Sequence, residues 1–112
     1  MKNVYMQQGD VILYHETSIP KKAKEIKINN EFILEHGEGI HKHRLVPKSG
    51  MLQEQVCISE TEDKIYLEIK DNGLLLVHEE HGTSQIEPNL ILSKVKEREW
   101  DYEVQEARNV LD

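Results

Sequence analysis

Leu74-Leu75-Leu76-Val77-His78-Glu79-Glu80-His81-Gly82 is the stretch on which the reading of the whole chain turns. Four consecutive apolar residues predict a strand covered on both faces. The two histidines and two carboxylates that end the run would then stand at the rim of a packed core. Just before it, Asp71-Asn72-Gly73 is the strongest hairpin signal in the chain, because Asn-Gly takes up the left-handed backbone that tight turns need. Ile65-Tyr66-Leu67-Glu68-Ile69 is therefore expected to be the strand that pairs with Leu74 to His78.

Similar short runs recur on either side. Val11 to His15, introduced by Gly9-Asp10, and Phe32 to His36, preceded by the Asn29-Asn30 turn, are β-branched or aromatic in character and predict strands. Lys22 to Asn30 alternates loosely and is read as a strand. Ile40 to Val46 would return from Phe32 to His36 across a tight Gly37-Glu38-Gly39 loop and end at Pro47-Lys48-Ser49-Gly50. Leu52 to Ile58 is a weaker strand, Ser59 to Asp63 a polar loop, Ile86 and Pro88 belong to an extended or looped piece, and Leu90 to Val95 is again β in type. Met1 to Gln8 has no clear period and reads as a lead-in. Glu97 to Tyr102 would form an edge strand carrying Trp100, and Val104, Ala107 and Leu111 recur at the spacing of a short C-terminal helix. Strands separated by turns every 8 to 12 residues or so predict a single mainly β domain over residues 1–112, a small barrel or sandwich.

Composition narrows the function. A chain of 112 residues can bury roughly two-thirds of its unfolded surface, enough for a core without staples. Its formal charge is −7, and the acidity lies in the second half: residues 1–56 hold eight Lys/Arg against seven Asp/Glu, and residues 57–112 hold six against fourteen. Such a surface repels phosphate, which argues against nucleic-acid partners and anionic membranes. The basic cluster of Lys21, Lys22, Lys24 and Lys27 lacks interleaved aromatics and reads as a solvated face. Cys57 is the single cysteine, excludes an internal disulfide, and is read as a core residue in a reducing compartment. No run approaches the ~20 apolar residues of a membrane helix, so the chain is expected to be cytosolic.

Six histidines carry what chemistry there is. His41 and His43 are two apart and share a strand face. A three-residue loop at 37–39 would pair Glu35 with His41 and Ile33 with His43, putting a carboxylate beside both imidazoles. His78-Glu79-Glu80-His81 is one residue short of the His-Glu-x-x-His zinc-protease helix and follows a strand, so a turn is expected instead. If the two pairs meet, His41, His43, His78 and His81 form a site for a divalent metal ion (Zn²⁺, Fe²⁺ or Mn²⁺) or a small polar ligand, with Glu35, Glu79 and Glu80 as further ligands or acid/base groups. His15 and His36 are read as surface or satisfied residues. There is no Gly-rich phosphate loop, no Gly-x-Ser-x-Gly elbow and no cysteine pair for a zinc ribbon.

His41-Lys42-His43, with Gly82 and Pro88 at Gly-x5-Pro spacing, resembles the motifs of the cupins, whose fold is a small β-barrel. The resemblance implies that barrel, but not the cupin metal set: Pro47 and Lys48 stand where the cupin glutamate would be, Leu90 stands for a glycine and Ser93 for the third histidine. More of the chain resembles a group of small uncharacterised proteins common in bacterial and phage genomes. That likeness rests on Gln8-Gly9-Asp10-Val11, Gly39-Ile40-His41-Lys42-His43, His78 to Gly82 with Ile86 and Pro88, and Arg98-Glu99-Trp100, and it implies no activity. A second expectation follows from the acidic half and Trp100-Asp101-Tyr102: a metal-free accessory module, phage-encoded, that binds another protein.

Overall fold

The computed structural model describes residues 3–36 and 42–96, with only the backbone at 35 and 36. The chain is mainly β. Its strands are β1 (Val4–Gln8), β2 (Val11–His15), β3 (Lys24–Ile26), β4 (Phe32–His36), β5 (Lys42–Pro47), β6 (Val56–Glu60), β7 (Lys64–Ile69), β8 (Leu74–His78), β9 (Gly82–Ile86) and β10 (Ile91–Val95), with one helical turn, α1 (Leu52–Gln55), before β6. They form two antiparallel sheets. The larger is ordered β1-β2-β10-β7-β6-β3 and the smaller β4-β5-β8-β9. The result is a small sandwich; the barrel alternative is corrected, because the sheets do not close on one another.

The core lies between the sheets and draws on both. Val11, Leu13, Ile58, Leu67 and Leu92 from the larger sheet meet Leu34, Leu45, Leu74, Leu76 and Ile86 from the smaller. Each such side chain stabilises the fold by roughly 1.5–3 kcal/mol relative to exposure. In β8 the buried residues are Leu74, Leu76 and His78, while Leu75 and Val77 are half-buried. The expectation of a strand covered on both faces therefore holds fully for one face only.

The expected hairpin at Asp71-Asn72-Gly73 is not one. β7 pairs with β6 and β10, whereas β8 pairs with β5 and β9, so the turn carries the chain from one sheet to the other. Gly73 does take positive φ (75°), so the local conformation is as expected. What differs is that both edges of β7 are already occupied. The return crossing at Asn89, also at positive φ (62°), packs beside it, with Asn89 N donating to Ile69 O at 3.0 Å and Lys70 O at 2.9 Å.

Other departures have local causes. Residues 4–8 are a strand after all: a register irregularity between Val4 and Met6 breaks the period of two and hides it from the sequence. Leu52 to Gln55 is helical because it lets both Leu52 and Val56 enter the core, and Asn30 Oδ1 accepts the Leu52 N–H at 3.1 Å. Residues 82–86 are a full strand beside β8. Cys57 is half-buried rather than a core residue, since Val56 and Ile58 take the inward positions of β6. The Trp100 segment and the C-terminal helix expected around Val104, Ala107 and Leu111 lie outside the described residues.

β1 and β9, each at the edge of its sheet, share no ladder. Side chains bridge them instead: Tyr5 Oη accepts the Glu87 N–H at 2.9 Å, and Gln8 Nε2 donates to Gly82 O at 3.3 Å. The candidate site lies at the Gln8 end of this seam.

Candidate histidine site at the end of the smaller sheet

β5 and β8 pair with Leu45 opposite Leu76 and Arg44 opposite Val77. Continuing that register by one residue sets His43 across from His78, both on the inward face. Where the core face would otherwise continue in leucine, two imidazoles stand instead, only 3% and 6% exposed. Their ring centroids are 4.3 Å apart. β8 turns at Glu79-Glu80-His81, and His78 pairs with Gly82 at the start of β9. The expected turn at this position is thus observed. It folds the exposed His81 back to 4.6 Å from His78 and 6.1 Å from His43, centroid to centroid. His43 of the upstream pair thus meets both histidines of the downstream pair.

The β1–β2 hairpin closes over them. Gln8 and Val11 are paired, leaving Gly9-Asp10 as a two-residue turn with positive φ (58°) at Gly9, a position that suits glycine. A Cβ at Gly9 would lie 2.7 Å from both Cδ2 and Nε2 of His81 and 3.2 Å from Cε1 of His43. The missing side chain is what leaves room for the rings.

Gln8 is 3% exposed and spends every polar atom. Its Nε2 donates to Leu76 O at 2.9 Å, with Ser84 Oγ at 3.2 Å and Gly82 O at 3.3 Å sharing the same nitrogen. This fixes the amide so that Oε1 faces Nδ1 of His43 at 2.9 Å. A carbonyl oxygen accepts only, so the proton of neutral His43 is on Nδ1 and the lone pair on Nε2. His78 is held the other way: its Nδ1 accepts the backbone N–H of Glu80 at 3.0 Å and of His81 at 3.1 Å.

The carboxylates expected nearby are placed as follows. Glu79 and Glu80 are exposed, and Glu79 Oε1 accepts the Lys42 N–H at 3.3 Å, tying the β8–β9 turn to the start of β5. Glu35 pairs with His43 and His36 with Lys42, so the expected pairing of Glu35 with His41 and Ile33 with His43 is corrected. An irregularity between Ile33 and Glu35 shifts the register. His41, and the side chains of Glu35 and His36, lie outside what is described. His15 is exposed and packs edge-on to Tyr5 at 5.2 Å, away from the cluster.

Among the described residues, no group of three or more His, Cys, Asp or Glu is disposed to hold a metal ion as it stands. No described helix is long and apolar enough to cross a membrane. Gln8 and Gly9 join the site although the chain marks them only indirectly. The signal was present in the Gly-x pair ahead of Val11, which is the composition of a two-residue hairpin turn, but the bulge at the start of β1 concealed the strand it closes.

A family model described as a domain of unknown function, DUF8820, matches residues 7–89, a span that includes Gln8, Gly9, His43, His78 and His81. No curated protein and no solved structure matches the chain.

Proposed function

The chain belongs to the DUF8820 family, and from the geometry of its histidine cluster we propose that it is a small β-domain binding a divalent metal ion or a small polar ligand. One observation carries this reading: His43, His78 and His81 converge within 4.3 to 6.1 Å at the end of a leucine-lined sheet face. Burying imidazoles where leucine would pack costs desolvation that must be met by hydrogen bonds. A sequence selected only to fold has no reason to accept that cost. Departures from local folding logic concentrate at functional sites.

The ring separations are compatible with ligation. Two imidazoles whose nitrogens lie 2.0–2.1 Å from one ion have centroids about 5–6 Å apart, a spacing bracketed by the 4.3 to 6.1 Å found among these three rings. The buried amide of Gln8 behind His43 is the kind of outer partner that orients a ligating histidine.

Metal content and titration test the proposal. Untagged protein purified without chelator is loaded with Zn²⁺, Mn²⁺ or Fe²⁺, while ring resonances of His43 and His81 are followed by NMR. Saturable, near-stoichiometric uptake that moves both rings is expected. Substoichiometric metal under all three saturating conditions would end the metal version, and a silent response to a panel of small anions and polar metabolites as well would end the proposal.

A further inference from the structure

The β1–β2 hairpin is tied into the fold by backbone at its base and by side chains alone at its tip. At the base, His15 N donates to Asn3 O at 2.8 Å and Glu16 N to Ile91 O at 2.9 Å, while Tyr14 and His15 pair with Ser93 and Leu92 of β10. Glu87 N donates to Tyr5 Oη across the seam to β9 at 2.9 Å. Beyond Tyr14 the ladder to β10 stops, although β10 itself runs on to Val95. On its outer side β1 has no ladder partner among the described residues. Residues 7–12 are therefore a strip of strand and turn whose ladder pairs are all within the strip: Gln7 with Ile12 and Gln8 with Val11.

Two side chains hold that strip down. Val11 is fully buried in the core. Gln8 Nε2 donates to Leu76 O at 2.9 Å, Ser84 Oγ at 3.2 Å and Gly82 O at 3.3 Å, and Gln8 Oε1 accepts Nδ1–H of His43 at 2.9 Å. The register irregularity between Val4 and Met6 falls where the tied base gives way to the tip, and such irregularities interrupt a ladder and bend its strand. At the far end Gly9 lies on the cluster, so close that a Cβ there would be 3.2 Å from His43 Cε1. The other described walls are held by backbone: β5 is paired with β8, and the 79–81 turn gives two N–H groups to His78 Nδ1.

We propose that the hairpin tip, residues 7–12, is a lid over the buried His43 ring, hinged at the Val4–Met6 irregularity and latched by the Gln8 amide. Burial of Val11 draws the tip back, so the lifted form is a minor state. Lifting breaks the Gln8 hydrogen bonds and brings His43 into contact with solvent and whatever is dissolved in it, while the two sheets stay folded. The lid's role in access rests on the ligand-binding reading of the cluster; the lid itself does not.

The test is hydrogen exchange with water, followed by NMR on the full chain without any ligand. The Gln8 side-chain amide protons and the His43 Nδ1–H are bonded to protein only while the latch is shut. Ser84→Ala removes one latch acceptor and should speed both by about two- to tenfold, the worth of one hydrogen bond. Ile69→Val, in the core on β7 away from the tip, weakens the whole fold instead. It should speed the backbone amides of Leu45 and Leu67 by about twofold or more and leave the Gln8 and His43 protons unchanged. Urea below the unfolding transition should separate the two sets in the same way, because lifting the tip exposes little surface.

Gln8 and His43 protons that follow Leu45 and Leu67 in Ile69→Val and in urea would mean that the tip opens only when the whole chain unfolds, and would overturn the lid. A Ser84→Ala variant that speeds the Gln8 protons but not the His43 Nδ1–H would show that the latch does not cover that ring, and would overturn it too. Since no ligand is present, either failure leaves the binding reading standing, and failure of the binding reading leaves the lid.

Discussion

Replacing Gly9 by alanine probes the contact between the β1–β2 hairpin and the histidine cluster most directly. Two costs add. The backbone is at φ 58°, and a residue bearing a Cβ pays about 1–2 kcal/mol in the left-handed region. The new methyl would also sit 2.7 Å from the His81 ring and 3.2 Å from His43 Cε1. His81 is exposed and can swing out, so the clash should displace that ring rather than add its full steric energy. Gly82→Ala is the matched control, because its φ is 80° and a Cβ there would meet nothing within 4 Å. Both variants should lose about 1–2 kcal/mol in urea unfolding, a Tm drop of roughly 4–12 °C for a domain of this size. Only Gly9→Ala should move the ring resonances of His43, which is remote in sequence from both substitutions. If those resonances stay at their wild-type positions in Gly9→Ala, the hairpin does not pack on the cluster and the site as described is wrong.

Three further outcomes follow from the same structure. Gln8→Leu removes the acceptor for His43 Nδ1–H and a donor to Leu76 O; with buried partners left unsatisfied it should cost about 2–4 kcal/mol by denaturant titration, and a loss under 0.5 kcal/mol would refute the network. Gly73→Ala should be worse than Gly82→Ala by about 1 kcal/mol or more, since its Cβ would meet the backbone oxygen of Ile86 at 2.6 Å and backbone cannot swing aside; equal losses in urea unfolding would count against the close crossing of the sheets. Leu76→Ala, at a fully buried position of β8, should cost about 2–5 kcal/mol, and a Tm within 2 °C of wild type would contradict its central place.

Much of the β architecture was legible in the chain because alternation and turn composition are local properties. Val11 to His15, Ile65 to Ile69 and Leu74 to His78 appear as strands where their apolar runs placed them. The candidate site was legible only in halves. His78 and His81 announce themselves by ending an apolar strand, and His43 by its two-residue spacing from His41, but nothing local says that β5 lies beside β8. Gln8 escaped notice because a polar residue after an irregular segment gives no sign that it will be 3% exposed beneath another sheet.

What the sequence determined by itself was therefore the conformation of each short piece, including positive φ at Gly73, since backbone sterics act over a few residues. What only the tertiary structure decided was pairing. Asn72-Gly73 serves equally as a hairpin or as a crossing between sheets, and the choice fell to which strand edges were already taken: β6 and β10 fill both sides of β7. That choice sends Leu74 to His78 into the smaller sheet, sets His78 across from His43, and gathers His43, His78 and His81, far apart in the chain, into one cluster.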